Sequence, residues 1–189
     1  GRYLDSDNDG ICYRTYPGTH PEKGAYFTRG TSHDEYARYT EDGNINAETL
    51  MRLMRKFRTA SELVPPPIIE INGEDSCGII YYGSSKPAVL EAKDILKTKD
   101  INVDLMQIRS FPFNLDVWEF IASHDRIYVV EQNRDSQMRT LIMAEGGISA
   151  EILRPLVHFT GDPIEASYIV NKISEREVNY KSHKNIKER

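Results

Sequence analysis

Gly78-Ile79-Ile80-Tyr81-Tyr82-Gly83-Ser84-Ser85-Lys86-Pro87 is the stretch that decides the fold. A short apolar run that ends in glycine reads as a buried strand. Ser84 and Ser85 offer caps to whatever follows, and Pro87 suits the first turn of a helix. Val89, Ala92 and Leu96 then recur at helical spacing. The same alternation repeats downstream. Val103 to Ile108 alternates like a strand, and Phe113, Val117, Phe120 and Ile121 give a helix with Asn114 and Asp116 in its first turn. Ile127-Tyr128-Val129-Val130 is wholly apolar, as a central parallel strand is. Met138, Leu141 and Ile142 mark a third helix that stops at Gly146-Gly147. Leu156 to Phe159 reads as a fourth strand and Ile164 to Ile173 as a last helix, while Ile68 to Ile71 adds a strand at the start. Strand–helix alternation at this spacing implies right-handed crossovers. The expected class is α/β: a mostly parallel sheet with helices on both faces over residues 66–175.

Upstream the pattern changes. Pro65-Pro66-Pro67 cannot continue a helix and stiffens an extended connector. Before it, Leu50, Leu53, Met54 and Phe57 recur at i, i+3, i+4, i+7, so the spacing predicts a helix over 46–58 with Asn46 as its cap. Its other face carries Arg52, Arg55, Lys56 and Arg58, either solvated or set against an acidic neighbour. Still earlier, residues 17–36 (PGTHPEKGAYFTRGTSHDEY) form a long irregular stretch with two His, three acids and three Gly. Its aromatics Tyr26, Phe27 and Tyr36 argue for an ordered loop, since disordered segments are poor in such groups. Residues 1–65 are therefore expected to be an irregular N-terminal arm with one helix. Residues 176–189, with Lys181, Lys184, Lys187 and Arg189 against Glu188, read as a basic solvated tail.

The chain has 189 residues, 39% of them hydrophobic and 28% charged, which fits an ordinary globular protein with one good core. A net charge of −5 disfavours nucleic acid as the main partner. No apolar run approaches the roughly 20 residues of a membrane span, and no secretory signal pattern is present. The first residue is Gly, which leaves room for an upstream part. Cys12 and Cys77 belong to no Cys-x-x-Cys pair, so zinc or iron–sulfur ligation within the chain is not expected; two buried thiols suit a reducing, cytoplasmic setting.

Candidate sites gather at the carboxyl ends of the strands, where ligands and partners of such sheets sit. Gly83-Ser84-Ser85 opens a helix but matches no phosphate-binding fingerprint and reads as capping. Arg109 suits an anion clamp or a structural pairing. Glu131-Gln132-Asn133-Arg134-Asp135 follows the most apolar strand and suits a subunit interface, a site wall or plain cap chemistry. Asp5, Asp7 and Asp9 open like a calcium loop, but Tyr16 occupies the twelfth position where a bidentate Glu belongs; a charged turn is the default and a loosely held divalent ion the alternative. His20, His33 and Asp34 lack any motif that fixes a catalytic geometry, and His124 and His158 read as structural.

The loop at 17–36, the Thr40-Glu41-Asp42 after it and the Val129 to Asp135 segment together resemble the alpha subunit of the 2-oxoacid:ferredoxin oxidoreductases, most closely the 2-oxoglutarate branch. The resemblance covers nearly the whole chain. It implies a domain similar to the C-terminal domain of transketolase, preceded in the family by a thiamin pyrimidine-binding domain. It also implies a CoA-acylating oxidative decarboxylation that uses thiamin diphosphate, Mg and iron–sulfur clusters, with electrons passing to ferredoxin. The magnesium–diphosphate pattern belongs to the partner beta subunit and is absent here, so no cofactor, metal or catalytic residue is assigned to this chain. The chain then reads as the C-terminal part of the subunit, inactive alone and serving assembly and the shaping of the site. Arg29, His33, Arg109 and Arg134 are the expected contacts to an anionic substrate or coenzyme. His20, Tyr26, Phe27, Asp34, Glu131 and Asn133 are the expected interface residues. The expected partners are the beta subunit and, through it, ferredoxin, with a homodimer of the piece as a further possibility and neither nucleic acid nor membrane. Two alternatives stand beside this: a non-catalytic interaction domain of the same fold, or the C-terminal domain of another thiamin-dependent 2-oxo acid dehydrogenase.

Overall fold

The computed structural model describes residues 1–24, 30–72 and 77–187. The chain divides into two compact units, Gly1–Val64 and Pro65–Arg189. The second unit is the α/β sheet expected from the sequence. It holds β1 (Ile68–Glu70), β2 (Cys77–Tyr81), β3 (Asp104–Gln107), β4 (Arg126–Glu131) and β5 (Leu153–Val157) in the order β1-β3-β2-β4-β5. Only β1 runs antiparallel, pairing Ile69 with Met106. The other strands are parallel, with Ile80 between Met106 on one side and Val129 on the other.

Helices cover both faces because β2 and β4 are apolar on both. Ile79, Tyr81, Leu105, Tyr128 and Val130 pack against α2 (Lys86–Lys97) and α5 (Ala166–Lys187). Ile80, Met106, Ile127 and Val129 pack against α3 (Leu115–Ala122) and α4 (Gln137–Gly146). At Gly78 the approach of α3 is so close that a Cβ would lie 2.9 Å from the Phe120 ring. Any larger residue there would push the helix off the sheet. α4 ends as expected, on Gly147 in the left-handed conformation (φ 61°).

Two boundaries differ from the sequence reading. The last strand lies at Leu153–Val157, earlier than the expected 156–159. Pro155 interrupts its pattern but sits on the sheet edge, where the missing N–H costs nothing. Arg176 takes up the Pro155 carbonyl at 2.9 Å. The last helix continues far beyond 173, so residues 176–180 are not a solvated tail. Glu177 is buried and accepts bonds from Arg126 Nε at 2.8 Å and from the Tyr128 hydroxyl at 2.8 Å. The Arg126 guanidinium also lies 4.3 Å from the centre of the Tyr180 ring. Burial, then the bond to Glu177, push the Tyr128 hydroxyl far above the usual phenol range. The side chains of Lys181, Lys184, Lys187 and Arg189 lie outside the described residues. Glu177→Ala removes the carboxylate that neutralises the buried Arg126, so it should cost about 3–5 kcal/mol of unfolding free energy, read by urea denaturation.

The first unit is built differently. Its helix α1 (Gly43–Leu63) is longer than expected and is capped by Asp42, which accepts from Asn44 N at 2.8 Å; Asn46 lies inside the helix. The apolar stripe is largely exposed: Leu50 and Met54 are 54% and 65% accessible. The basic face is the one that packs. Arg55 pairs with Asp5 at 2.8 Å, Arg52 donates to the Gly10 carbonyl, and Thr59 donates to the Asp9 carbonyl. Gly10, at φ +83°, lies directly on the helix backbone, where a Cβ would collide with Lys56 N. The acidic turn is thus a clamp for α1 and not a cation loop: Asp5 also accepts from Gly10 N, Asp9 from Ile11 N and Asp7 from the Tyr13 hydroxyl. Burial acts to raise the Asp5 pKa, but Arg55 and the Gly10 amide outweigh it and hold the carboxyl below the usual range. A depressed carboxylate stabilises above its unfolded pKa and loses that contribution as pH falls. Acidification through the carboxylate range should therefore loosen residues 1–64 before the sheet unit, visible as faster amide exchange in α1 than in β4.

Candidate functional site

The order of the strands fixes where a site can lie. The chain leaves β2, passes through α2 to β3, and returns through α3 to the other side of β2. The topological switch point therefore falls between the carboxyl ends of β2 and β4. Tyr82-Gly83-Ser84-Ser85 follows one strand and Glu131-Gln132-Asn133-Arg134-Asp135 continues the other.

Glu131 is the centre of this edge. It is fully buried and, among the described residues, has no cationic partner. Its two oxygens are instead taken by the first turn of α4: Met138 N donates to Oε2 at 2.7 Å and Arg139 N to Oε1 at 3.0 Å. Asn133 Nδ2 adds a third bond at 2.8 Å. The carboxylate thus sits at the positive end of the helix, satisfied by neutral donors. Ser136 adopts the left-handed conformation (φ 51°) to turn the chain back toward it. Burial first, and then the charge of Glu131, push the Tyr82 hydroxyl above its usual range.

Gln132 ties the two loops together. Its Nε2 donates to Ser84 Oγ at 3.0 Å and Ser85 Oγ at 3.2 Å, and its Oε1 accepts from Ile164 N at 3.3 Å. Asn133 donates weakly to the Tyr82 hydroxyl at 3.4 Å and accepts from Gln137 N at 3.2 Å. Ser84 and Ser85 are therefore cross-links and not helix caps; Ser85 makes no capping bond to α2. The polar groups at the switch point are spent on one another. Their donor set does not fit a thiamin diphosphate and magnesium site, because the one buried carboxylate is committed to α4 and the hydroxyls to Gln132.

The remaining candidates divide into two groups. At the sheet edge, Arg109 is exposed and has no hydrogen-bond or ionic partner among the described residues. Arg134 is exposed and chelates its neighbour Asp135 at 2.7 Å, a pair of little energetic weight. His158 donates its backbone N–H to the Glu131 carbonyl at 2.9 Å and packs edge-on to Tyr168. In the first unit, His33 stacks on Tyr3 at 4.0 Å and its backbone carbonyl accepts from Thr49. Asp34 closes a turn by accepting from Tyr36 N and Arg38 N. His20 accepts from Glu22 N and Lys23 N through Nδ1. Tyr26, Phe27 and Arg29 lie outside the described residues. Glu131 and Asn133 are thus brought together; His20, His33 and Asp34 serve local structure.

Sequence reading missed Gln132 as the bridging residue. Its signal, a Gln directly after a buried strand and opposite two serines, is visible only once β2 and β4 are known to be neighbours. Glu131→Gln would set an NH2 group against a backbone N–H and should cost about 2–3 kcal/mol. Hydrogen exchange should show the loss concentrated in the first turn of α4 and the 132–136 loop.

No family model matches the chain. Among proteins of known annotation, it is 28% identical over 176 residues to the 2-oxoacid:ferredoxin oxidoreductase 2 subunit alpha of Aeropyrum pernix, covering 88% of this chain and 26% of that protein. It is also 28% identical over 124 residues to the corresponding subunit alpha of Saccharolobus solfataricus, covering 63% of this chain and 20% of that one. Among solved structures, the 2-oxoglutarate:ferredoxin oxidoreductase of Magnetococcus marinus, determined with 2-oxoglutarate, coenzyme A and succinyl-CoA bound, superposes with a TM-score of 0.77 at 23% identity, covering 92% of this chain and 30% of that chain. The chain is similar in sequence to 2-oxoacid:ferredoxin oxidoreductase alpha subunits and shares its fold with such an enzyme, and it spans between about a fifth and a third of the length of the relatives it matches.

Proposed function

We propose that this chain is the C-terminal part of the alpha subunit of a 2-oxoacid:ferredoxin oxidoreductase, of the 2-oxoglutarate type, in a CoA-acylating oxidative decarboxylation. The observation that carries the reading is the sequence match to an alpha subunit over 88% of the chain, which takes in both compact units. The site chemistry supports a supporting role for this piece. Its switch point is cross-linked by Gln132 and Asn133, so the carboxyl edge presents a fixed polar rim in place of an open cleft. Such a rim suits contact with a neighbouring subunit that holds thiamin diphosphate, magnesium and the iron–sulfur cluster. Partner and compartment follow from that reading: a beta subunit, ferredoxin as electron acceptor, and the cytoplasm. On the rim, Arg109 is the cation best placed to meet an anionic group, since it is exposed and uncommitted among the described residues.

Gel filtration of the purified chain with the beta subunit of the same oxidoreductase tests the assembly role. A stable complex is expected; two separate species would overturn it. Within the assembled enzyme, Arg109→Ala should lower turnover about tenfold, equivalent to 1.4 kcal/mol, without changing thermal stability. His33→Ala and Arg29→Ala test the arm in the same way. Wild-type assembly and turnover in both would remove residues 17–42 from the interface.

A further inference from the structure

Toward the amino ends of β4 and β5, away from the rim described above, three guanidinium groups gather around two tyrosine rings. Arg126 and Tyr128 come from β4, Arg154 from β5, and Arg176 and Tyr180 from α5. Arg126 lies 4.3 Å and Arg154 5.5 Å from the centre of the Tyr180 ring. Arg154 and Arg176 each lie 5.8 Å from the centre of the Tyr128 ring. One carboxylate, the buried Glu177, sits among them. Its oxygens are taken by Arg126 Nε, at 3.0 and 2.8 Å, and by the Tyr128 hydroxyl at 2.8 Å. Arg154 Nη1 comes no closer to it than 4.0 Å, and among the described residues no other carboxylate lies within that distance of Arg154 or Arg176. Three positive charges thus meet one negative, an excess of two. Donors are in excess as well. A guanidinium carries five N–H groups. Arg154 commits one nitrogen to the Tyr128 hydroxyl at 3.4 Å, and Arg176 one to the Pro155 carbonyl at 2.9 Å. Their other nitrogens have no hydrogen-bond partner among the described residues, and both side chains are partly open to solvent.

We propose that Arg154 and Arg176 form a binding site for a phosphate dianion, free or as a monoester, on the β5–α5 edge of the sheet. The excess of two charges matches a phosphate, which approaches −2 at neutral pH, and exceeds what a single carboxylate supplies. The geometry favours the same ion. Two planar forks on different elements can each engage a separate pair of tetrahedral oxygens, whereas one fork already fills a planar carboxylate. Both forks are held in advance. The β4–β5 register sets Arg154 opposite Tyr128, and the carbonyl of the next residue, Pro155, holds Arg176 beside the same ring. Fixing the donors before the ligand arrives removes part of the ordering cost of binding. Arg126 is not a ligand of the site, because Glu177 already neutralises it.

Amide spectra of the whole chain test the site at slightly alkaline pH, where phosphate is a dianion. Inorganic phosphate is titrated in one series and methyl phosphate in another, with chloride withdrawn to hold the ionic strength constant. Saturable shifts are expected in β5 and in α5 around Arg176. Arg154→Gln and Arg176→Gln each remove one fork and should weaken binding about tenfold. The same spectra report whether each variant keeps the wild-type fold, and if one does not, the wild-type titration decides alone. Saturation confined to these residues with either probe bears the site out, and the tighter probe tells whether the group enters as a free ion or as an ester. Shifts that never saturate, that scatter over the surface, or that folded variants reproduce in full would overturn it.

Discussion

β4 carries a charged residue at each end, and both are buried. A parallel strand covered on both faces cannot send polar side chains to water along its length. The polar groups must appear at its ends, and each must find partners at once. At the amino end Arg126 finds Glu177 from the last helix; at the carboxyl end Glu131 finds the amides of α4. The two solutions differ in kind. Arg126 is neutralised by an opposite charge, and Glu131 is solvated by oriented dipoles. Between them lies the apolar run Ile127 to Val130, on which both hydrophobic layers converge.

This arrangement ties together the two loops at the carboxyl edge of the sheet. In related architectures the switch point opens because the two loops diverge. Here Glu131 pulls the chain back onto α4 while Gln132 reaches across to Ser84 and Ser85. These polar side chains are committed to one another across the edge. What remains outward is a rim with free Arg109 and the exposed aromatic rings of Phe111 and Phe159. A rigid rim of this sort recognises by shape and charge, as subunit contacts do.

Much of the fold was legible because the second unit obeys one local rule throughout. Apolar runs such as Ile127 to Val130, each followed by a cap or glycine, specify strands and helices without help from distant residues. The failures came where tertiary context overrides pattern. Pro155 hides an edge strand, since only its place at the sheet margin makes the missing donor harmless. The acidic Asp5 to Asp9 turn resembles a cation loop until Arg55, fifty residues on, is found to neutralise it. Ser84 and Ser85 look like caps until Gln132 claims them. Each of these depends on a long-range neighbour. The buried pairs Arg126–Glu177 and Asp104–His124 were invisible for the same reason, since neither partner belongs to a sequence motif.

The two units also differ in what holds them. Every buried apolar side chain of the described residues lies between Cys77 and Ile173. The first unit has none, and is tied by hydrogen bonds and by the Asp5–Arg55 pair. Leu50, Met51 and Met54 of α1 stay exposed, and covering them would contribute about 1.5–3 kcal/mol each. Under the proposed reading a neighbouring part of the enzyme supplies that cover. The amphipathic period of α1 then keeps its usual meaning, with the apolar stripe marking what the helix is meant to meet and the basic face spent on its own N-terminal turn.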